Sequence, residues 1–593
     1  MPDDACTTRH SGPGGRPGHR RRPGQTPPAG GDGISARGYV QPWLAMLVLL
    51  VVAVAAAVSS AISSPARRTG AADAAATGTA GSGSSGVGAS PAAASAGGSA
   101  ASAGGSTGST FVSAWRGHGE LAYASTGVIR VVDGSGSVTA VTGPPSGGAD
   151  GSPAWSADGR WLAFLHRGPA AGFSVPLPTL WIVAAGSATA RQVGTDQVTS
   201  FAWSPTADVL AFAVPSRAFG GPGSASGVWT DVPGRAPVRL VAVAIAGSSA
   251  TANVADPAWS AGGATIAFDV TVPSRTAVAA GSNGSTAGSR PGTSGRDSEP
   301  AASTTTVRPS TEAVGELDTV GATGGSVTTV YRSPGSGVEL AEAWPGGGGW
   351  LFWRDTGFSS SIAADGLPLQ SLATGSTGPI TLATTLVGRM WLSPDPATNA
   401  VAIVAGAGRS VWQAGRSVEV CRFPAAPQCR AVPIPAGTVS LYPQWGPAGD
   451  LLYSTAAAGG PLGAGPGNPS YGATAMAAWD STFRLWRVPS ASVNNGAAPA
   501  ASQPGSILAS SGSPGNDLLV VRDDALWIQS GSGASGGPAS PVRVAGPLFS
   551  AAAPAGYYGE VDWAATFAWS RAPGPRWGTD DALSAETDPA EKP

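Results

Sequence analysis

A tryptophan followed by a tight polar turn and an apolar strand recurs along this chain. The pattern stands in "SPAWSADGRWLAFLHRG" (152–168), in "FAWSPTADVLAFAV" (201–214) and in "DPAWSAGGATIAFDV" (256–270). In each copy a phenylalanine lies nine residues after the tryptophan, which pairs Trp155 with Phe164, Trp203 with Phe212 and Trp259 with Phe268. Ser, Asp and Gly suit a tight reversal because they bond the local backbone or adopt positive φ. Each copy therefore predicts a β-hairpin.

Five looser units follow the same plan, with a second aromatic partner, a changed turn length or no tryptophan. They are "SAWRGHGELAYAS" (113–125), "EAWPGGGGWLFWRD" (342–355), "MWLSPDPATNAVAIV" (390–404), "PQWGPAGDLLYST" (443–455) and "SGSPGNDLLVVRDD" (511–524). Third and fourth strands such as "TLWIVAA" (179–185) and "VRLVAV" (238–243) follow several hairpins. Four short antiparallel strands, repeated at intervals of roughly 40–55 residues, are typical of β-propeller blades.

We expect an all-β fold, a β-propeller of seven or eight four-stranded blades. Eight units are counted, and "EVDWAATFAWS" (560–570) remains to complete the first or the last of them. Seven blades would result if two units merge. A row of separate β-sandwiches is the alternative, since sandwiches also have short strands and frequent turns.

The aromatic side chains of the repeat are predicted to pack between neighbouring sheets. Each ring removes on the order of 150–250 Å² from water when it is buried. This interpretation makes the repeat residues structural rather than catalytic. The predicted packing residues are Trp115, Trp155, Phe164, Trp203, Phe212, Trp259, Phe268, Trp344 and Trp445.

The three best copies of the repeat resemble a known family. "PAWSADGRWLAF", "FAWSPTADVLAF" and "PAWSAGGATIAF" are similar to the W/F-S-P-D-G-x-x-I/L-A-F signature of the TolB-type (WD40-like, PD40) β-propeller repeats. The resemblance covers 111–570, closely in three units and loosely in the others. It implies a propeller in an exported, cell-envelope setting that serves as a protein-interaction scaffold. The chain differs from TolB in its membrane anchor, its long tether, its greater number of units and the absence of an evident N-terminal α/β domain.

An apolar segment, 42–62, predicts the compartment. It is an uncharged run of 21 residues, long enough as a helix to span about 30 Å of hydrocarbon. An arginine-rich tail, 1–41, precedes it and favours a cytoplasmic N-terminus. We expect a single-pass cell-membrane protein with the bulk of the chain outside the cytoplasm. A cleaved signal peptide is the alternative, and it also exports the chain.

The remaining boundaries follow from composition. An Ala/Gly/Ser-rich segment, 63–110, predicts a flexible linker, because it cannot bury enough apolar surface to offset its ordering entropy. The propeller spans 111–570, with a predicted disordered insertion at about 275–312, and 571–593 is predicted to be a disordered tail. The tail is too short for a hydrolase domain after the propeller. The abundance of Ala and Gly, with arginine in place of lysine, is typical of GC-rich genomes such as those of actinobacteria.

Charge and histidine content narrow the function classes. The net charge of −2, with 12% charged residues, argues against a nucleic-acid binder, which needs a clustered basic face. Four histidines, two of them in the N-terminal tail, are too few for a histidine-rich metal site in the propeller. We expect no metal, no cofactor and no catalytic residue that the sequence can identify. The oligomeric state stays open.

Two cysteines lie close together in "VEVCRFPAAPQCRAV" (418–432). A hairpin would place Cys421 opposite Cys429, and an oxidising exterior favours a disulfide between them. Free thiols are the alternative.

Two function hypotheses follow. The first is a membrane-tethered propeller that binds an envelope protein or a cell-wall ligand without catalysis, because the fold offers a rigid ring of loops and no catalytic motif is visible. The second is an envelope hydrolase or lyase whose carboxylates gather at the channel from distant blades. Ionisable side chains clustered at one mouth would favour the enzyme, and a channel lined by small and apolar groups would favour binding. A third, weaker hypothesis is a sensor coupled to the cytoplasmic tail.

Overall fold

The computed structural model describes part of the second of two compact units, 104–593; the first unit is 1–103. The described residues are 110–141, 148–169, 176–216, 227–245, 252–274, 303–307, 312–358, 365–395, 397–423, 427–446, 449–459, 479, 481–489, 501–504, 507–511, 517–523, 525–529, 541–548 and 566–570. Within these ranges, no helix has the length and apolar character that crossing a bilayer requires. The predicted anchor 42–62, the basic tail 1–41 and the C-terminal tail 571–593 lie outside them, as does the predicted linker except for Thr110.

The described chain is all-β, and its strands form consecutive antiparallel sheets. Sheets 1 to 4 take their strands almost in sequence order. Sheet 1 has β1 (Thr110–Phe111), β2 (Glu120–Ser125), β3 (Val128–Val132) and β4 (Ser137–Ala140); sheet 2 has β5 (Ala149–Trp155), β6 (Trp161–Arg167), β7 (Thr179–Ala184) and β8 (Arg191–Gln197); sheet 3 has β9 (Ser200–Trp203), β10 (Leu210–Val214), β11 (Gly227–Asp231) and β12 (Val238–Ile245); sheet 4 has β13 (Asn253–Trp259), β14 (Thr265–Val272), β16 (Val314–Gly321) and β17 (Thr328–Pro334).

Sheets 5 and 6 are joined by one residue pair, Thr385 with Ala405, so that together they form one eight-stranded sheet. Sheet 5 has β18 (Gly337–Ala343), β19 (Gly349–Asp355), β20 (Leu367–Ala373) and β21 (Ile380–Thr385); sheet 6 has β22 (Leu392–Asp395), β23 (Ala400–Ala405), β24 (Ser417–Arg422) and β25 (Gln428–Ala431); sheet 7 has β26 (Thr438–Trp445), β27 (Leu451–Ala457), β28 (Arg484–Val488) and β29 (Ala501–Pro504); sheet 8 has β30 (Ile507–Ser511), β31 (Leu518–Arg522), β32 (Ala525–Gln529) and β33 (Val542–Ala545). Two short 3-10 helices, Ser113–Trp115 and Arg389–Trp391, precede β2 and β22.

The second strand of each sheet is mostly apolar and buried because other sheets cover it on both faces. β10 is buried at every residue, and so is β23. Phe164, Phe212 and Phe268, the aromatic partners predicted from the repeat, lie in such strands and are 3% exposed or less. The hairpin interpretation of the three best copies is therefore confirmed.

Successive sheets are linked by indole hydrogen bonds. The indole N–H of a repeat tryptophan donates to a backbone carbonyl of the preceding sheet, and the acceptor residue directly precedes that sheet's own tryptophan. The three bonds run from Trp155 to Ala568 at 3.2 Å, from Trp203 to Ala154 at 3.0 Å and from Trp259 to Ala202 at 3.0 Å. The repeat tryptophans of sheets 2, 3 and 4 thus have equivalent surroundings.

The last described strand, β34 (Phe567–Ser570), joins the first sheet. It pairs antiparallel with β2, from Phe567 opposite Tyr123 to Ser570 opposite Glu120. The expectation that the leftover segment completes a terminal sheet is confirmed, and that sheet is the first. Sheets 8 and 1 are also in contact: Nδ1 of His118, just before β2, lies 2.8 Å from Oδ2 of Asp517, just before β31.

Two details differ from the sequence interpretation. Trp115 was predicted to end a strand before the turn, but it lies in a 3-10 helix, since the first strand of its hairpin is supplied by β34 instead. Trp115 is nevertheless fully buried and packs on Trp569, with ring centroids 5.3 Å apart. Part of the predicted disordered insertion is a strand, β15 (Ser303–Val307), which pairs parallel with β12.

The two cysteines predicted to pair lie directly opposite each other on β24 and β25. Cys421 is buried, and its sulfur is bonded to that of Cys429. The disulfide joins β24 to β25, the last two strands of sheet 6.

Truncation after residue 565 is expected to destabilise the protein strongly, whereas truncation after residue 571 is not. The shorter chain loses β34, leaves the edge of β2 unpaired and removes the carbonyl that accepts the Trp155 indole. We expect the free energy of unfolding in urea to fall by at least about 3 kcal/mol. Equal unfolding midpoints for the two truncations would show that β34 is dispensable.

Replacing Trp203 by Phe is expected to lower the free energy of unfolding by about 1–3 kcal/mol, because the Ala154 carbonyl loses its donor. Trp161→Phe is the matched control, since the Trp161 indole N–H has no acceptor among the described residues. We expect the control to lose less than half as much stability in urea unfolding followed by fluorescence. A control that loses as much would assign the effect to ring size alone.

Candidate functional site

A bulge interrupts the first strand of several sheets three residues before the repeat tryptophan. In β5, β13 and β26 one extra residue is inserted, and the sequences there read Ser-Pro-Ala-Trp, Asp-Pro-Ala-Trp and Tyr-Pro-Gln-Trp. The inserted residue has positive φ in each case: 53° at Ser152, 46° at Asp256 and 53° at Tyr442. Proline fits next to it because it has no N–H to leave unpaired in a broken ladder.

The bulges of β5 and β13 line a cavity of about 900 Å³, which we call the tryptophan cavity. The first strands of sheets 2, 3, 4 and 5 and the segment 387–389 supply most of its wall. Its aromatic lining is Trp155, Trp203, Trp259, Trp344, Trp353 and Phe201, and its charged lining is Arg167, Asp256, Glu339, Glu342 and Arg389. Four of the predicted packing tryptophans therefore also form a surface that a ligand can reach.

Acidic side chains gather on the side of the cavity formed by sheets 4 and 5. Asp256 comes from the bulge of β13, and Glu339 and Glu342 come from β18. Behind them, Asp269 on β14 lies opposite Ala255 and is 5% exposed, and its Oδ1 has no hydrogen-bond partner among the described residues. Because a buried carboxyl oxygen without a donor costs free energy, this cluster is not explained by packing alone.

Burial and mutual repulsion raise the pKa values of these carboxyls. Burial raises the pKa of Asp256, against the opposing charge of Arg389 and a hydrogen bond with Ser200. Burial and the charges of Asp256 and Glu339 raise the pKa of Asp269 well above its usual range. The pKa of Glu339 is raised to about 7 by burial and by the charges of Asp256 and Asp355. Burial raises that of Glu342, again against Arg389.

Arg389 is the cation nearest to this cluster. It begins the 3-10 helix Arg389–Trp391, and its Nη2 donates to the Pro257 carbonyl at 3.4 Å. Arg389 therefore connects the segment between sheets 5 and 6 to the bulge of sheet 4. Its charge partly offsets the carboxylates without pairing closely with one of them.

The lining limits the chemistry of the cavity. Among the described lining residues there is no histidine or cysteine, and in the described part of the chain no three acidic, histidine or cysteine side chains are placed to hold a metal ion. Carboxyls with separated pKa values can transfer protons, and ionised ones can bind a cation beside aromatic rings.

The sequence did not reveal this site. Trp155, Trp203, Trp259 and Trp344 were predicted as packing residues only, and Asp256 and Glu342 begin quoted repeat units without being assigned a role. The one local signal is the residue before the Pro-Ala-Trp or Pro-Gln-Trp step, which the bulge gives positive φ. Glu339 and Arg389 lie outside the quoted units, and the acidic residues meet only when sheet 5 packs on sheet 4.

Glu339→Gln is expected to stabilise the protein at pH 8 and to have little effect at pH 5. The pKa of Glu339 is about 7 in the folded protein against an ordinary 4.5, so the folded state binds the proton more tightly. The stability that the wild type derives from this group is therefore present below pH 4.5 and lost as the pH rises through 7. We expect a gain of about 2–4 °C in the thermal midpoint at pH 8. Asp523→Asn, at an exposed carboxylate, is the control; an equal gain at both pH values would contradict the assignment.

No protein-family model and no curated protein sequence matches this chain. Solved structures similar to it include a putative TolB from Agrobacterium tumefaciens, at 12% identity over 53% of this chain and 87% of that one, with a TM-score of 0.29. Others are a dipeptidyl peptidase 4 from Porphyromonas gingivalis (8% identity, 70% of this chain and 56% of that one, TM-score 0.39) and an acylaminoacyl peptidase from Pyrococcus horikoshii (7%, 63% and 49%, 0.33). The chain thus spans about half the length of each peptidase. With TM-scores below 0.5, none of their activities carries over to this chain.

Proposed function

We propose that this chain is a membrane-tethered binding propeller outside the cytoplasm, with the tryptophan cavity as its binding site for an envelope protein or cell-wall ligand. The single observation that carries the proposal is the cavity of about 900 Å³ walled by five tryptophans from four sheets. Large pockets with aromatic walls and a few converging polar groups are typical of ligand sites. The anchor 42–62 and the linker after it supply the tether.

We also propose that the eight sheets form a closed propeller ring. The eight groups of strands form eight blades, and β34 closes the circle by completing the first of them. Two contacts between the ends support closure: the pairing of β34 with β2, and the 2.8 Å contact of His118 with Asp517. Ser125 Oγ also donates to the Pro547 carbonyl at 2.7 Å, which connects β2 to the segment after β33.

An envelope hydrolase or lyase is the second candidate, and a specific observation favours it. Ionisable side chains do cluster at the cavity, and Glu339, with its pKa raised to about 7, has the protonation behaviour of a general acid. Binding is preferred because the cavity lining holds five tryptophans and, in the described residues, neither histidine nor cysteine.

A library of random twelve-residue peptides displayed on phage tests the binding proposal with the full-length protein. Ser152→Tyr is the blocking variant, since Tyr442 shows that this bulge accepts a tyrosine at the same φ of 53°. Ala207→Tyr adds the same side chain on an exposed turn outside the cavity and is the control. We expect selected peptides to bind the blocked variant at least tenfold more weakly and the control like the wild type.

Two outcomes would overturn the binding proposal. One is that no selected peptide loses affinity for Ser152→Tyr, which would show that the cavity is not the binding site. The other is that the wild type cleaves the selected peptides while Glu339→Gln only binds them. The second outcome would establish the enzyme in its place.

A further inference from the structure

Three carboxyls and two arginines, Arg167 and Arg389, supply the charged groups of the tryptophan cavity, so one negative charge is in excess when all five are ionised. The indole N–H groups add no donor, because all five are already bonded within the protein: Trp155, Trp203 and Trp259 donate to the preceding sheet, Trp344 donates to the Trp350 carbonyl at 3.2 Å, and Trp353 donates to Thr385 Oγ1 at 2.7 Å. The rings therefore present faces and carbon edges to a ligand, not donors. The carboxyls of Asp256, Glu339 and Glu342 add acceptors to the same wall.

The carboxylates of the cavity also lack the close ion pairs that two other buried carboxylates of this chain have. Glu316 is bonded to Arg332 at 3.0 Å, and Asp231 to Arg191 at 3.1 Å. Among the described residues, no basic side chain comes within 4 Å of the carboxylate of Asp256, Glu339 or Glu342. The Asp269 Oδ1 behind them is buried without a donor. A positively charged donor group on a ligand would pair with such a cluster and satisfy its oxygens.

We propose that the tryptophan cavity binds a lysine or arginine side chain of a partner protein segment, with the ammonium or guanidinium group held by Glu339, Asp256 and Glu342. Indole faces attract organic cations, and their flat walls cover the aliphatic stem of the side chain. This inference rests on the proposed binding function and specifies the ligand's chemistry.

Two observations favour an organic cation on a peptide over a metal ion or a small amine. In the described residues no group of three acidic, histidine or cysteine side chains is close enough to ligate a metal. The volume of about 900 Å³ lies near the upper end of small-ligand sites, which are roughly 300–1,000 Å³, so it takes a side chain together with its neighbours in the segment.

Binding is expected to weaken as the pH falls. Glu339 binds the cation when it is ionised, and its pKa of about 7 in the free protein means that it takes up a proton between pH 8 and pH 6. The charged and titratable groups around it are Asp256 on β13, Asp269 on β14, Glu342 on β18, Asp355 on β19 and Arg389, and Arg167 on β6 lines the same cavity. The other carboxyls with raised pKa values also take up protons as the pH falls, so they weaken binding of the cation further.

Peptides selected from the random library test the inference. In each cavity-dependent peptide, lysine is exchanged for norleucine or Nε-acetyl-lysine, and arginine for citrulline, which keeps the stem and removes the charge. We expect the affinity to fall at least tenfold on this exchange and about tenfold between pH 8 and pH 6. Glu342→Gln should weaken binding, Glu339→Gln should also flatten the pH profile, and Asp523→Asn should do neither.

The outcomes separate the two proposals. Cavity-dependent peptides without lysine or arginine, or full affinity for the norleucine analogues, overturn the cationic ligand and leave the binding function intact. If n-butylamine binds as tightly as the lysine peptides, the occupant is a small amine and the protein partner is wrong. If no peptide depends on the cavity, both proposals fail.

Discussion

The indole N–H to carbonyl bond between neighbouring sheets is the interaction on which the architecture depends. The first strand of each sheet has a partner on one side only, so half of its backbone groups have no strand to bond. Trp203 satisfies one of these groups on β5, at Ala154, and Trp259 does the same for β9, at Ala202. A phenylalanine fills the same space but brings no donor. This explains why the three best copies of the repeat use tryptophan at this position and phenylalanine at the covered position nine residues later.

A bulge precedes Trp155, Trp259 and Trp445, and the residue inserted there decides which side chain the bulge presents. One inserted residue with positive φ interrupts the alternation of faces, and the identity of that residue differs among sheets. In sheet 7 it is Tyr442, which stacks on Trp391 with ring centroids 5.3 Å apart and is buried. In sheet 4 it is Asp256, which lines the cavity. The same bulge therefore buries an aromatic ring in sheet 7 and places a carboxyl in the cavity in sheet 4.

The sequence predicted the elements of the fold that depend on local pattern. Trp155 with Phe164, and the tight turn between them, specify a hairpin without reference to the rest of the chain. Trp115 was misplaced because its neighbouring strand, β34, comes from the other end of the described chain, and local sequence does not encode such pairing. The candidate site was not predictable for the same reason. Asp256 and Glu339 are far apart in sequence, and their proximity depends on how sheet 4 packs on sheet 5.

The cost of the acidic cluster argues that it has a role beyond packing. Only 12% of the residues are charged, yet three carboxyls line one side of a single cavity and a fourth is buried behind them. Their raised pKa values mean that ionisation is unfavourable in the folded state, so neutral side chains there would make the protein more stable at neutral pH. Groups that reduce stability in this way cluster at functional sites, where a ligand compensates for them. Arg389 compensates only in part, because its guanidinium bonds a backbone carbonyl rather than a carboxylate. With Arg167 also in the lining, three carboxyls stand against two arginines, and five indole rings with no spare N–H lie beside them. The excess negative charge is the property that a positively charged ligand would neutralise.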